Sequence, residues 1–203
     1  MVVAMLRRFC RSKSGVALTE GLIVFPIMVL AISLCVEFGY MMYQWNLAAK
    51  AMQLGVRKLV VSEPATPDFN TVFAFDDTQS GQLIDADASV QSTCGAGTGI
   101  ACDAAMMTRL ISGNLTGGQR WPGLANYFPG ITAGQIRIIY ELSGLGYQGR
   151  PGGPVVTVRM EIGRDAIDFP VIGRLLESIG IAFPPFTVTA TSEDLRSCPG
   201  PCS

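Results

Sequence analysis

Six cysteines, one glutamate set in an apolar run and no histidine define the chemistry open to this chain of 203 residues. Without histidine there is no imidazole base, no imidazole metal ligand and no side chain that titrates unaided near neutral pH. Cys10 lies among basic residues and Cys35 in the apolar run, while Cys94/Cys102 and Cys198/Cys202 form two closely spaced couples. The first couple encloses Gly-Ala-Gly-Thr-Gly-Ile-Ala and the second Pro-Gly-Pro. In an oxidising compartment such couples read as disulfides, closing a glycine-rich loop and a rigid terminal turn, although four cysteines permit three pairings. Zinc is disfavoured because the paired C-x-x-C spacing is missing. Asp76, Asp77, Asp85 and Asp87 lack the spacing and closing glutamate of a calcium loop, and no Lys-Ser/Thr follows the glycines to cradle a phosphate. Asn114-Leu115-Thr116 matches the glycosylation triplet by pattern alone. The expectation is a chain with no catalytic residues, no metal and no cofactor: a binding or structural protein, not an enzyme.

The glutamate is Glu20, inside VALTEGLIVFPIMVLAISLCV from Val16 to Val36. A run of about 20 apolar residues is long enough, as a helix, to cross a hydrocarbon core of about 30 Å. Arg7, Arg8, Arg11 and Lys13 precede it with no acid, so residues 1–15 carry +4 while the whole chain carries −1. That asymmetry orients the basic segment to the cytoplasm and the remainder outside. A mean hydropathy of +0.36 with only 15% charged residues agrees with one membrane span. The mildly acidic remainder has no electrostatic footprint for nucleic acid. A cleaved secretory signal fits less well, because the apolar run is too long and ends at Trp45 and Asn46 rather than at small residues. A lipoprotein signal is excluded by Leu34 directly before Cys35.

A carboxylate within a span is costly and implies a function or a partner. The step from Gly15 through four residues to Glu20, between a basic leader and a long apolar helix, resembles the class III prepilin family. The resemblance implies cleavage by a prepilin peptidase between Gly15 and Val16. The new Val16 ammonium would then need a carboxylate when packed among helices, and Glu20 supplies one. Pro26 lacks the N–H a helix interior needs, so a kink or local melting is expected there. More narrowly, residues 7–60 resemble the TadE-like pseudopilins of the tight-adherence pilus. The shared features are the leader, the Gly-to-Glu step, a proline in the span, Val36-Glu37-Phe38-Gly39 and an Ala-rich continuation to Gly-Val-Arg. One departure is Gly21, where that family usually has an aromatic. Glu37 is a possible partner contact or a residue at the outer interface. The implied partners are other pilins or pseudopilins through this helix, the prepilin peptidase and an inner-membrane assembly platform. The alternative is a membrane-anchored periplasmic adaptor that never polymerises.

The elements that must position these residues follow. Phe38, Met41, Met42, Trp45, Ala48, Ala49, Met52, Val56 and Leu59 recur at helical steps, predicting one apolar stripe whose distal part packs on the domain's own sheet and whose proximal part is free for partner helices, with Gln44 on another face. Glu63-Pro64 and Pro67 stop this helix. Asp103 is placed to cap a helix over 104–111, ended by Gly113 and Asn114. Alternation at Ile136, Ile138, Tyr140 and Leu142, and again at Val156, Val158, Met160 and Ile162, predicts an antiparallel hairpin buried on one face, with Ile139 on the other. A short helix is expected around 174–178, and a third strand at 186–191. The expected architecture is α+β: a basic cytoplasmic leader at 1–15, a transmembrane helix with amphipathic extension at 16–62, and an extracytoplasmic domain at 63–203.

Overall fold

The computed structural model describes residues 14–74, 80–85, 87, 89–116, 119–150, 155–163, 166 and 186–192. Helix α1 runs from Ser14 to Leu59, 46 residues, about 69 Å at 1.5 Å per residue. It continues without interruption through Pro26, so no local melting occurs there. Arg57 and Lys58 occupy its last turn, where cations offset the partial negative charge of the helix end. The helix stops at Leu59, three residues short of the expected end, and residues 60–62 form a turn.

Short helix α2 (Phe69–Val72) buries Phe69 and Phe73 behind it. Strand β1 (Gln91–Gly95) follows, then helix α3 (Ala104–Ser112) and a small hairpin of β2 (Asn114–Thr116) with β3 (Gln119–Trp121). The main strands are β4 (Ile136–Leu142), β5 (Val156–Ile162) and β6 (Phe186–Thr191). The four-stranded sheet has the order β1-β4-β5-β6, antiparallel throughout. The hairpin, the third strand and the Asp103-capped helix stand where the alternation and cap placed them. Asp103 accepts the Met106 N–H at 2.7 Å, and Gly113 closes α3 at φ 80°. The helix expected around 174–178 lies outside the described residues.

The inner face of the sheet buries Ile136, Ile138, Tyr140, Val156, Val158, Met160 and Ile162 against Ala48, Ala51, Met52, Val56 and Leu59 of α1. Helix and sheet approach closely because Gly55 faces Met160. A Cβ there would lie 2.6 Å from Met160 Cε and 2.9 Å from Leu124 Cδ2. On the outer face Arg159 donates to Glu141 at 3.1 Å, and Arg137 lies 3.9 Å from Glu161. Ile139, expected on this face, is nonetheless buried, between Thr93 on β1 and Arg159 on β5. Long arginine stems can cover an apolar residue on an otherwise polar face.

Two corrections concern how polarity was read. The domain-facing side of α1 includes Glu37 and Gln44, each 8% exposed, whereas Phe38 and Met42 point outward. Phe38 and Met42, the proximal part of the predicted stripe, thus lie off the domain, whereas Gln44, placed on another face, is buried. Apolar residues surround the helix there, so hydrophobicity no longer marks the buried side. The second correction is β1, which the sequence did not announce and of which only Cys94 and Gly95 were read, as the start of the glycine-rich loop. Its Ser92 and Cys94 are buried on the inner face.

Candidate functional site: the N-terminal helix and its docking on the domain

Within α1, Val16 and Glu20 are one turn apart and share a face. Long side chains on a helix lean toward its N-terminus, the side on which Val16 lies. Both residues are exposed, and nothing lies within 4 Å of a Cβ built on Gly15. Thr19 turns its hydroxyl back onto the Val16 carbonyl at 2.8 Å. Pro26 leaves the Leu22 carbonyl without its usual i+4 donor. The Ser33 hydroxyl donates to the Val29 carbonyl at 2.9 Å, so it presents no unsatisfied proton to an apolar surrounding.

From Leu18 to Val36 the helix exposes apolar side chains on every side: Leu22 is 70% exposed, Phe25 69% and Val36 68%. Among the described residues this is the one helix long and apolar enough to cross a membrane. Its bare length, 19 residues at 1.5 Å, is about 28 Å, close to a hydrocarbon core. Glu37 marks where that bareness ends. It is buried and already engaged within the chain. Gln44 is likewise buried and engaged. Trp45 then meets Phe186 edge to face, with ring centroids 4.9 Å apart. Neither the Trp45–Phe186 pair nor the Gly55–Met160 approach was found from the sequence, since both join positions far apart in the chain. The one available signal was Gly55 inside an otherwise strong helix pattern.

Cys94 and Cys102 form a disulfide with Cα atoms 5.0 Å apart. It ties the end of β1 to the approach of α3 and encloses the glycine-rich turn. There Gly95 donates to the Ile100 carbonyl at 2.8 Å, with φ +95° and a position that a Cβ would drive into the Ile136 carbonyl. Beside this turn lies an open, mainly apolar groove of about 720 Å³, bounded by Ile100, Met107 and Ile111 and lined by no titratable side chain. Cys35 is free and exposed on α1. Cys10, Cys198 and Cys202 lie outside the described residues. Among the described residues no cluster of three or more His, Cys, Asp or Glu is arranged to hold a metal.

Below β1, Tyr140 accepts the Ala65 N–H at 3.0 Å and packs edge to face on Phe69. Burial pushes its phenol up to about 12, against a smaller downward pull from the Ala65 N–H. Ser92 Oγ lies 2.6 Å from both Thr66 Oγ1 and the Asp68 carboxylate. With one proton to give, it donates to Asp68 and takes the Thr66 proton. These contacts fasten the segment after α1 to the sheet, so the helix is fixed at both ends of its packed half.

A bare apolar helix thus becomes, without a break, the spine of a small α+β domain. The family model described as TadE-like protein matches residues 15–57, beginning at Gly15 and ending two residues before α1 does. No curated protein and no solved structure matches the chain.

Proposed function

We propose that this chain is a minor pseudopilin of a tight-adherence pilus, held in the inner membrane by Leu18–Val36 with its α+β domain on the periplasmic side. The carrying observation is the continuity of α1. The Gly15-to-Glu20 step opens a helix exposed on every side for one membrane thickness, and the same helix then packs as the core of the domain. Cleavage after Gly15 by a prepilin peptidase creates the Val16 ammonium. Glu20, on its own helix or on a neighbour's, neutralises that charge when helices pack in a low-dielectric bundle. Its partners on this reading are other pilins or pseudopilins, the peptidase and the inner-membrane platform, and its role is structural. Glu20→Ala tests the pairing. It is expected to leave membrane insertion intact and to reduce piliation and helix–helix cross-linking, whereas normal piliation in this variant would defeat the role given to Glu20.

A further inference from the structure

The two sulfurs of the Cys94–Cys102 bond stand in unequal surroundings. Cys94 lies on the inner face of β1, opposite Ile138 of β4, and is 0% exposed. Its Sγ is 3.6 Å from the Ala65 carbonyl, which also accepts the Asp103 N–H at 2.8 Å. Cys102 directly precedes the Asp103 cap of α3 and is only partly buried. Among the described residues, two open grooves meet at it. One is the groove of about 720 Å³ beside the glycine-rich turn, and the other, of about 570 Å³, is bounded by Glu63, Pro64 and Arg109. Cys102 lines both grooves and Cys94 lines neither.

Thiol–disulfide exchange begins when a thiolate attacks one sulfur, and its rate depends on which sulfur can be reached. Cys94 belongs to the packed core, so an attacker there must displace side chains that leave little free space between them. The approach to Cys102 is open by comparison. Nothing lies within 4 Å of a Cβ built on Gly97 or Gly99, and Ile100 and Ala101 are exposed. The released sulfur is also provided for. Once protonated, the Cys94 thiol has an acceptor ready in the Ala65 carbonyl, so the reduced pair leaves no orphaned S–H in the core. Cys94 is thereby kept in place to close the bond again.

We infer that Cys102 is the exchange sulfur of this bond, the site where an external thiol or disulfide forms a mixed disulfide, and that Cys94 is its internal resolving partner. In oxidation the Cys102 thiolate attacks one sulfur of an external disulfide. The bond from Cys102 to that sulfur forms, the external disulfide breaks, and the departing thiolate takes up a proton. Cys94 then gives up its proton and attacks Cys102 Sγ, closing the Cys94–Cys102 bond and expelling the second external thiolate. The cysteine pair loses two electrons, and the external disulfide gains them as it becomes two thiols. Reduction runs through the same mixed disulfide in reverse.

The test treats the oxidised full chain in detergent with reduced glutathione, stops the exchange in acid, and alkylates in denaturant before peptide mapping. Glutathione is expected on Cys102, in about tenfold or greater excess over Cys94. Cys94→Ser and Cys102→Ser, each given oxidised glutathione, extend the test to the oxidising direction. The first is expected to form its adduct at Cys102 about tenfold or more faster than the second forms one at Cys94. Glutathione found chiefly on Cys94 of the unmodified chain, or shared equally between the two, overturns the inference, and this arm requires no variant to fold. Equal rates in two variants that keep the native circular dichroism overturn it as well. Mapping by peptide separates these adducts from those on the free Cys35. Cleavage at Gly15 enters none of these readouts, so this inference and the pseudopilin reading fail separately.

Discussion

Trp45 and Phe186 meet with their rings at 88° and centroids 4.9 Å apart, 141 positions apart in the chain. The pair sits where α1 leaves its bare segment and enters the domain, directly after the buried Gln44. It joins the start of β6 to the helix.

A double-mutant cycle on Trp45→Ala and Phe186→Ala is expected to give a coupling of about 0.5–1.5 kcal/mol by denaturant unfolding. Additivity within about 0.3–0.5 kcal/mol would mean that the rings do not fix the helix to the sheet.

Mass mapping of non-reduced peptides is expected to recover Cys94 joined to Cys102, with Cys35 free. Cys94→Ala with Cys102→Ala should cost about 2–3 kcal/mol for a loop this short. The loss should appear as fraying of the glycine-rich turn and β1 rather than of the β4–β5 hairpin. A bond from Cys94 to Cys198 would contradict the pairing, and both thiols reduced in intact cells would contradict the extracytoplasmic placement of the domain.

The Tyr140 phenol makes stability fall at alkaline pH. Its ordinary value is 10.0, and burial raises it to about 12 in the fold. The folded chain holds this proton more tightly than the unfolded one. The contribution is therefore whole below pH 10 and is lost as pH rises from 10 to 12, at most about 2–3 kcal/mol. Tyr140→Phe is expected to flatten the pH dependence in this window while costing about 1–3 kcal/mol at neutral pH, because the Ala65 N–H loses its acceptor. Equal alkaline sensitivity in both proteins would show that another group titrates.

The hairpin and the third strand were legible because alternation at Ile136–Leu142 and Val156–Ile162 has the period of a half-buried strand. The cap at Asp103 and the stop at Gly113 were legible because their chemistry is local. Strand β1 was not, since Gln-Ser-Thr-Cys-Gly carries no apolar alternation. Its inward residues are held by a disulfide and by the Ser92–Asp68 contact, which join separate parts of the chain. The face given to Gln44 was misjudged for the converse reason. Where the bare segment ends, Phe38 and Met42 face outward while Glu37 and Gln44 are buried, so hydrophobicity does not mark the packed side there. The Gly15-to-Glu20 step was legible as a motif, but whether it is processed is a question of a second protein's action.

The most direct test of the account is therefore the mature N-terminus, read from the membrane-extracted protein in cells with and without a prepilin peptidase. The account predicts a chain beginning at Val16 when the peptidase is present, a chain retaining the basic leader when it is absent, and no processing of Gly15→Leu in either. A leader retained in both cells would contradict it.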